Sequence, residues 1–213
     1  MVNAVAASID WRQLGGVTDV KNQGSCGSCW AFSTVATLEA SFLIQKKVTL
    51  NLSEQQLVSC SGVSPYGNAG CNGGWPASAL AYVLNEGITT EEAYPYKAKT
   101  GTCTFKGGDY KIKSVKSTPR GKCGAIKRQL QSGPVSVDVD ADNWSGYKSG
   151  VLKCQSASIN HAVLLVGYTE KGHWIIKNSW GTSWGDNGYI TINKRAAYNC
   201  GICKYGCDSG LPA

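Results

Sequence analysis

Gln23-Gly24-Ser25-Cys26-Gly27-Ser28-Cys29-Trp30-Ala31-Phe32 sets a thiol at the start of a helix, behind a loop rich in glycine and serine. Beyond it Val35, Leu38, Phe42, Leu43 and Ile44 recur at roughly helical spacing as far as Lys46, so Cys29 falls in the first turn. Unpaired N–H groups and the helix dipole stabilise an anion there, which favours a thiolate. Cys29 is therefore a candidate nucleophile.

Thiol chemistry needs a base and a group to hold that base, and neither has to be near in sequence. The chain has two histidines. His161 stands 132 residues after Cys29, in Ile159-Asn160-His161-Ala162-Val163, and Asn178 stands 149 after it, in Lys177-Asn178-Ser179-Trp180-Gly181. These separations match the pattern C-G-[SA]-C-[WY] followed by His and Asn about 130–150 residues on. Asp10-Trp11-Arg12, Cys71-Asn72-Gly73-Gly74, Gly133-Pro134-Val135-Ser136-Val137 and Asn199-Cys200-Gly201-Ile202 extend the likeness along nearly the whole chain. The chain resembles the papain family of cysteine proteases, cathepsin L-like members included.

Periodicity divides the chain in two. In the first half Ser53-Glu54-Gln55-Gln56 reads as a capping box, with Ser53 as N-cap and Gln56 at N3. After about residue 110 come short alternating or apolar runs, Val135–Val139, Ala162–Tyr168, Trp174–Lys177 and Tyr189–Ile192, separated by glycine-rich turns. Helices followed by strands predict an α+β protein whose two lobes meet at a cleft. The resemblance implies the papain-like version of that plan, a helical lobe beside an antiparallel β-barrel. Residues 10–113 then form the helical lobe carrying Cys29, residues 114–206 the barrel lobe carrying His161 and Asn178, and residues 1–9 and 207–213 crossing arms of one catalytic unit.

The resemblance also implies roles. Cys29 attacks a scissile carbonyl, and His161 protonates the leaving amine and then serves as base in deacylation. Asn178 orients the imidazole as a carboxylate does in serine triads, and Gln23 joins the Cys29 N–H as oxyanion donor. Trp180 shields the bond between His161 and Asn178, and Trp184 lies on the leaving-group side. Gly73 and Gly74 line the cleft and hydrogen-bond an extended peptide, with Trp75 and Asn160 beside them. The rival base, His173, sits in a turn and reads as solvent-facing. Strand alternation puts Val135, Val137 and Val139 on the core face, and Ser136 and Asp138 towards the cleft. The resemblance places Asp138 on the wall of the pocket for the second side chain before the scissile bond, with Tyr205, five residues past Cys200, at its floor. These two would favour a basic or polar side chain there, unless Asp138 bonds a neighbouring group and leaves the pocket apolar.

Ten cysteines in 213 residues point to an oxidising or lysosome-like compartment, lysosomal, vacuolar or secreted. Matching the family implies the bridges Cys26–Cys71, Cys60–Cys103 and Cys154–Cys200. Cys123, Cys203 and Cys207 remain, which is one bridge and one free thiol; which two pair is open, Cys203–Cys207 being local and Cys123–Cys207 tying down the C-terminal arm. Apart from its matches, Cys26-Gly27-Ser28-Cys29 could serve a redox dithiol, but that leaves the His and Asn blocks unexplained. A catalytically silent binding protein is the other alternative. No metal and no cofactor is expected.

At 42% hydrophobic and 16% charged the composition is globular, and no apolar run approaches a membrane span. The opening residues lack the pattern of a signal peptide and read as a mature fragment. The net charge of +7 is concentrated between Lys97 and Arg128, where ten basic residues face one acid, Asp109. That segment is a solvated surface or a docking site for a polyanion. No aromatic alternation argues for nucleic acid. The resemblance implies a monomer that takes extended peptide substrates, with an inhibitory prosegment and cystatin-type inhibitors as partners. The sequons at Asn51 and Asn143 are chance-level matches.

Overall fold

A computed structural model describes residues 5–105, 107–195 and 199–213. The helical part comprises α1 (Cys29–Lys46), α2 (Glu54–Cys60) and α3 (Pro76–Glu86). Short strands and two further helices follow a first strand, β1 (Ile9–Asp10): β2 (Ile112–Ser117), α4 (Cys123–Leu130), β3 (Val135–Val139), β4 (Val151–Leu152), β5 (His161–Tyr168), β6 (Trp174–Lys177), β7 (Tyr189–Ile192), α5 (Ile202–Tyr205) and β8 (Cys207–Pro212).

Helix α1 is buried on nearly every side. Trp30, Val35 and Leu38 pack with Leu57, Leu80, Val83 and Ile88 in the helical core. Its small hydroxyl residues face the other way and satisfy the strand lobe. Ser33 Oγ donates to Val163 O at 2.8 Å, and Thr37 Oγ1 donates to Pro134 O at 3.0 Å. Buried hydroxyls need such partners, and here those partners join the two halves. Ser136 takes part as well, its Oγ lying 2.5 Å from Ser33 Oγ. Alternation does turn Ser136 away from the core, but it meets α1 instead of the cleft.

Only half of the predicted capping box forms. Ser53 Oγ accepts the Gln56 N–H at 3.0 Å. The Gln56 side chain does not return to Ser53; its Oε1 accepts the Thr89 N–H and its Nε2 donates to Gly107 O. The Ser53 N–H finds Thr89 O instead.

The strands form one sheet in the order β2-β8-β3-β5-β6-β7-β4, with β1 on β5. All pairings are antiparallel except β4 with β7, a departure from a wholly antiparallel barrel. Val135, Val137, Val163, Leu165, Ile176 and Ile190 fill the sheet-side core. The N-terminal strand pairs Ile9 with Tyr168. The C-terminal strand β8 is an interior strand between β2 and β3, running on from the 114–206 segment. A Cβ on Gly210 of β8 would come within 2.7 Å of Leu38 and 3.2 Å of Leu80, so this strand presses directly on the helical core.

Four disulfides are present, Cys26–Cys71, Cys60–Cys103, Cys154–Cys200 and Cys123–Cys203. The last settles the pairing that the sequence left open among the three leftover cysteines. Cys207 points into the sheet core as a free, buried thiol, and Cys123 at the start of α4 meets Cys203 on α5. Of the basic segment, Lys106 lies outside the described residues, and Lys127 holds its ammonium 4.6 Å over the Tyr168 ring. Lys97, Lys99, Lys111, Lys113, Lys116, Arg120, Lys122 and Arg128 are exposed. Among the described residues no helix is long and apolar enough to cross a membrane.

Candidate active site

Cys29 is the first residue of α1 and His161 the first of β5, and both line a cleft cavity of about 180 Å³. Burial pushes the Cys29 thiol up, while the N–H groups of Ala162 and Trp30 pull it down. Burial likewise pushes the His161 imidazolium down to about 4, against the opposing bond to Asn178. Desolvation therefore acts against the charged form of either group taken alone. Cys26 is bonded to Cys71, so Cys29 has no dithiol partner in its own C-x-x-C.

Asn178 follows the last residue of β6, which pairs with β5 and so carries the amide back beside His161. Its Oδ1 lies 2.8 Å from His161 Nε2 and accepts the Ser179 N–H at 2.8 Å. The second bond identifies the oxygen of the amide, which makes His161 Nε2 the donor and leaves Nδ1 with the lone pair in the neutral ring. His173, by contrast, stands in the turn before β6, where its Nδ1 accepts the Lys194 N–H.

Gln23 is buried across from this loop. Its Nε2 donates to Cys26 O at 3.0 Å, its Oε1 accepts from Ser179 Oγ at 2.7 Å, and its N–H donates to Ser179 O at 2.9 Å. The side chain therefore ties the loop before α1 to the loop after β6, with one Nε2 hydrogen left over.

Three indoles enclose the imidazole. Trp180 lies 5.0 Å from the His161 ring and Trp184 lies 5.0 Å from Trp180. Trp144 stacks on Trp184 at 6.1 Å and accepts its Nε1–H on the backbone carbonyl at 3.1 Å. The sequence pointed to Trp180 and Trp184 but met Trp144 only as the middle of a sequon. An apolar residue inside an exposed polar turn, Asp142-Asn143-Trp144-Ser145, was the available signal.

The cleft cavity is walled by Gly73, Gly74, Trp75, Asp138 and Asn160, besides Cys29 and His161. The two glycines serve different ends. Gly73 has φ +112° and open space where a Cβ would stand, so its backbone conformation calls for glycine. A Cβ on Gly74 would approach the Trp30 ring to 2.7 Å, so there glycine lets the loop pack on α1. Trp75 stands 54% exposed at the rim. Asn160 turns its side chain out of the cavity, to the Ala141 N–H and Asp142 Oδ1.

Asp138 lines the cavity, its carboxyl pushed up to about 6 by burial and by the Asp208 carboxylate, against the pull of Arg120. Tyr205 does not line it. Its ring on α5 is taken by Arg120 at 5.6 Å and Lys204 at 5.2 Å. The bend at Gly206 then leads into β8, whose register sets Asp208 opposite Ser136, diagonal to Asp138. Asp208 thus acts on the Asp138 carboxyl, although like Tyr205 it does not itself line the cavity.

The sequence model of the papain family cysteine proteases matches residues 5–208. The chain belongs to the papain family. It is 44% identical over 214 residues to digestive cysteine proteinase 2 of Homarus americanus, covering 92% of this chain and 64% of that one. It is 43% identical over 212 residues to a cathepsin L-like proteinase of Fasciola hepatica, covering 94% and 64%. This papain-family chain thus spans a little under two thirds of the length of these relatives. Among solved structures, digestive procathepsin L 3 of the Tenebrio molitor larval midgut superposes with a TM-score of 0.90 at 39% identity, covering 99% of this chain and 71% of that one. Bromelain from Ananas comosus, in complex with the E64 inhibitor, gives 0.87 at 38% identity, covering 97% and 99%.

Proposed function

We propose that the chain is the catalytic unit of a cysteine endopeptidase. The observation that carries this reading is a thiol at the first residue of a buried helix sharing one cavity with a histidine whose tautomer is fixed by an asparagine. Cys29 Sγ attacks the carbonyl carbon of the scissile peptide, and the carbonyl oxygen takes the electron pair. The Cys29 N–H and the unused Nε2 hydrogen of Gln23 stabilise that oxyanion, each such donor being worth about 2.7–4 kcal/mol. When the tetrahedral adduct collapses, His161 Nδ1 gives its proton to the leaving amine and a thioester remains. His161 then takes a proton from water, which attacks the thioester and releases the acid and the Cys29 thiolate, leaving the proton on His161. Asn178 holds the imidazole throughout, and the indoles exclude water from their bond.

The substrate is an extended peptide laid along the backbone of Gly73 and Gly74, with Trp75 at the rim and Trp184 on the leaving-group side. Asp138 faces the second side chain before the scissile bond and favours a basic one. An inhibitory prosegment and cystatin-type inhibitors are the partners we propose, supported by likeness to a procathepsin and to a protease held by an inhibitor. Digestive and cathepsin relatives support a secreted or lysosomal compartment. The exposed part of the 97–128 segment is proposed as a polyanion surface, and the working unit as a monomer.

Active-site titration with a thiol-directed epoxide, followed by peptide mapping, tests the assignment. One equivalent should modify Cys29 and abolish peptide hydrolysis, whereas Cys207, buried and pushed up to about 12, reacts only after unfolding. Hydrolysis that survives Cys29→Ala or His161→Ala would refute the mechanism.

A further inference from the structure

Behind the cleft, between α1 and the β5–β6 pair, lies a cavity of about 20 Å³, room for one water molecule. Its walls include Lys21, Ser33, Glu39, Glu54, Lys177 and Asn178. Asn178 is 2% exposed, and its Nδ2 is buried with no hydrogen-bond partner among the described residues. A buried donor left unmade costs about 1–3 kcal/mol, so a partner for it is strongly favoured.

The lining also holds an ion cluster whose two carboxylates are buried. Lys21 Nζ lies 2.7 Å from Glu39 Oε1 and 2.8 Å from Glu54 Oε1, and it donates to Leu52 O at 3.2 Å. Glu39 also accepts from the Leu52 N–H at 2.9 Å and from Thr18 Oγ1 at 2.6 Å. Lys177, the residue before Asn178, donates to Thr18 O at 2.8 Å. Glu39 is thus close to saturation, while Glu54 accepts one side-chain bond and retains acceptor capacity. None of these groups touches Cys29 or His161, and the proposed chemistry uses none of them.

We propose that one water molecule in this cavity accepts the Asn178 Nδ2–H and donates to the Glu39–Glu54 carboxylate pair. The ion cluster thereby acts as a positioning group for Asn178 and, through it, for the imidazole of His161. The amide is then held at both ends, by His161 and the Ser179 N–H on its oxygen and by the water on its nitrogen, so it cannot rotate and present Nδ2 to the ring. This inference rests on His161 being the acid–base group. If that assignment fails, His161→Ala retains turnover, an outcome independent of whether the water is there.

A crystal structure of the whole chain at high resolution should find an ordered water about 2.7–3.2 Å from Asn178 Nδ2 and from an oxygen of Glu54 or Glu39. Ala36 also lines the cavity, and Ala36→Val fills it from α1. That variant should lose the water, lower kcat about two- to tenfold, the rate equivalent of one hydrogen bond, and leave KM unchanged. The ¹⁵N resonances of the His161 ring should move with it, a response that loss of global stability alone does not produce. Glu54→Gln, which keeps an acceptor but removes the charge, provides the second reading of kcat and ring resonances should Ala36→Val not fold. A cavity without water, Asn178 Nδ2 bonded to a protein carbonyl, or wild-type kcat and ring resonances in a folded variant would overturn the proposal.

Discussion

Trp144 meets His161 edge to face, with ring centroids 5.9 Å apart at 88°. The indole is fully buried although both its neighbours in the chain are exposed. It therefore anchors a surface turn under the site and backs both indoles that cover the imidazole. Trp144→Ala should cost about 3–5 kcal/mol in urea unfolding. It should also lower kcat/KM by freeing Trp184, whereas Trp144→Phe retains most of both. An alanine variant of wild-type stability would show that the turn holds without its anchor.

The titration of His161 depends on the state of its neighbour. In Cys29→Ala no thiolate opposes burial, so the imidazole should titrate well below 6.5, near 4. The unfolded chain takes up that proton first, so the folded variant should lose stability as pH falls from about 6.5 towards 4. In the proposed mechanism the thiolate of the free enzyme holds the imidazolium, so activity should follow a bell set by the pair. NMR titration of the ring in both proteins checks this, and equal midpoints would exclude the ion pair.

If Asp138 meets the substrate as proposed, selectivity should depend on pH. Its carboxyl, raised to about 6 by burial and by Asp208, is neutral below that value and anionic above it. For matched peptides with Arg or Leu two residues before the scissile bond, the Arg-to-Leu ratio of kcat/KM should rise about tenfold or more as pH passes through 6. Asp138→Ala should flatten the ratio. A constant preference for Leu that Asp138→Ala does not alter would assign the pocket to apolar side chains.

The exposed lysines and arginines of the 97–128 segment should bind a sulfated polysaccharide at low salt and release it as ionic strength rises, because charges further apart than about 10 Å are screened at 0.1 M. Charge reversal at Lys113 and Lys116, both exposed on strand β2, should weaken retention on a sulfated matrix. No retention at low salt would return the segment to a solvated surface.

What the sequence by itself determined is local. The loop before Cys29, the apolar spacing of α1, the Ser53 cap and the Val135, Val137, Val139 alternation each depend on residues a few places apart, where period and turn chemistry suffice. The distant pair His161 and Asn178 was legible only through its motif context. Tertiary structure alone decided what depends on which remote segments meet. It set Cys123 against Cys203, took Gln56 from its cap to Thr89 and Gly107, and turned Ser136 onto Ser33. It exchanged Tyr205 for Asp208 beside Asp138, drew Trp144 beneath the imidazole, and gathered Lys21, Glu39 and Glu54 behind Asn178. A buried polar or aromatic group takes whichever partner the packing brings within hydrogen-bond or contact distance, and no period along the chain encodes that choice.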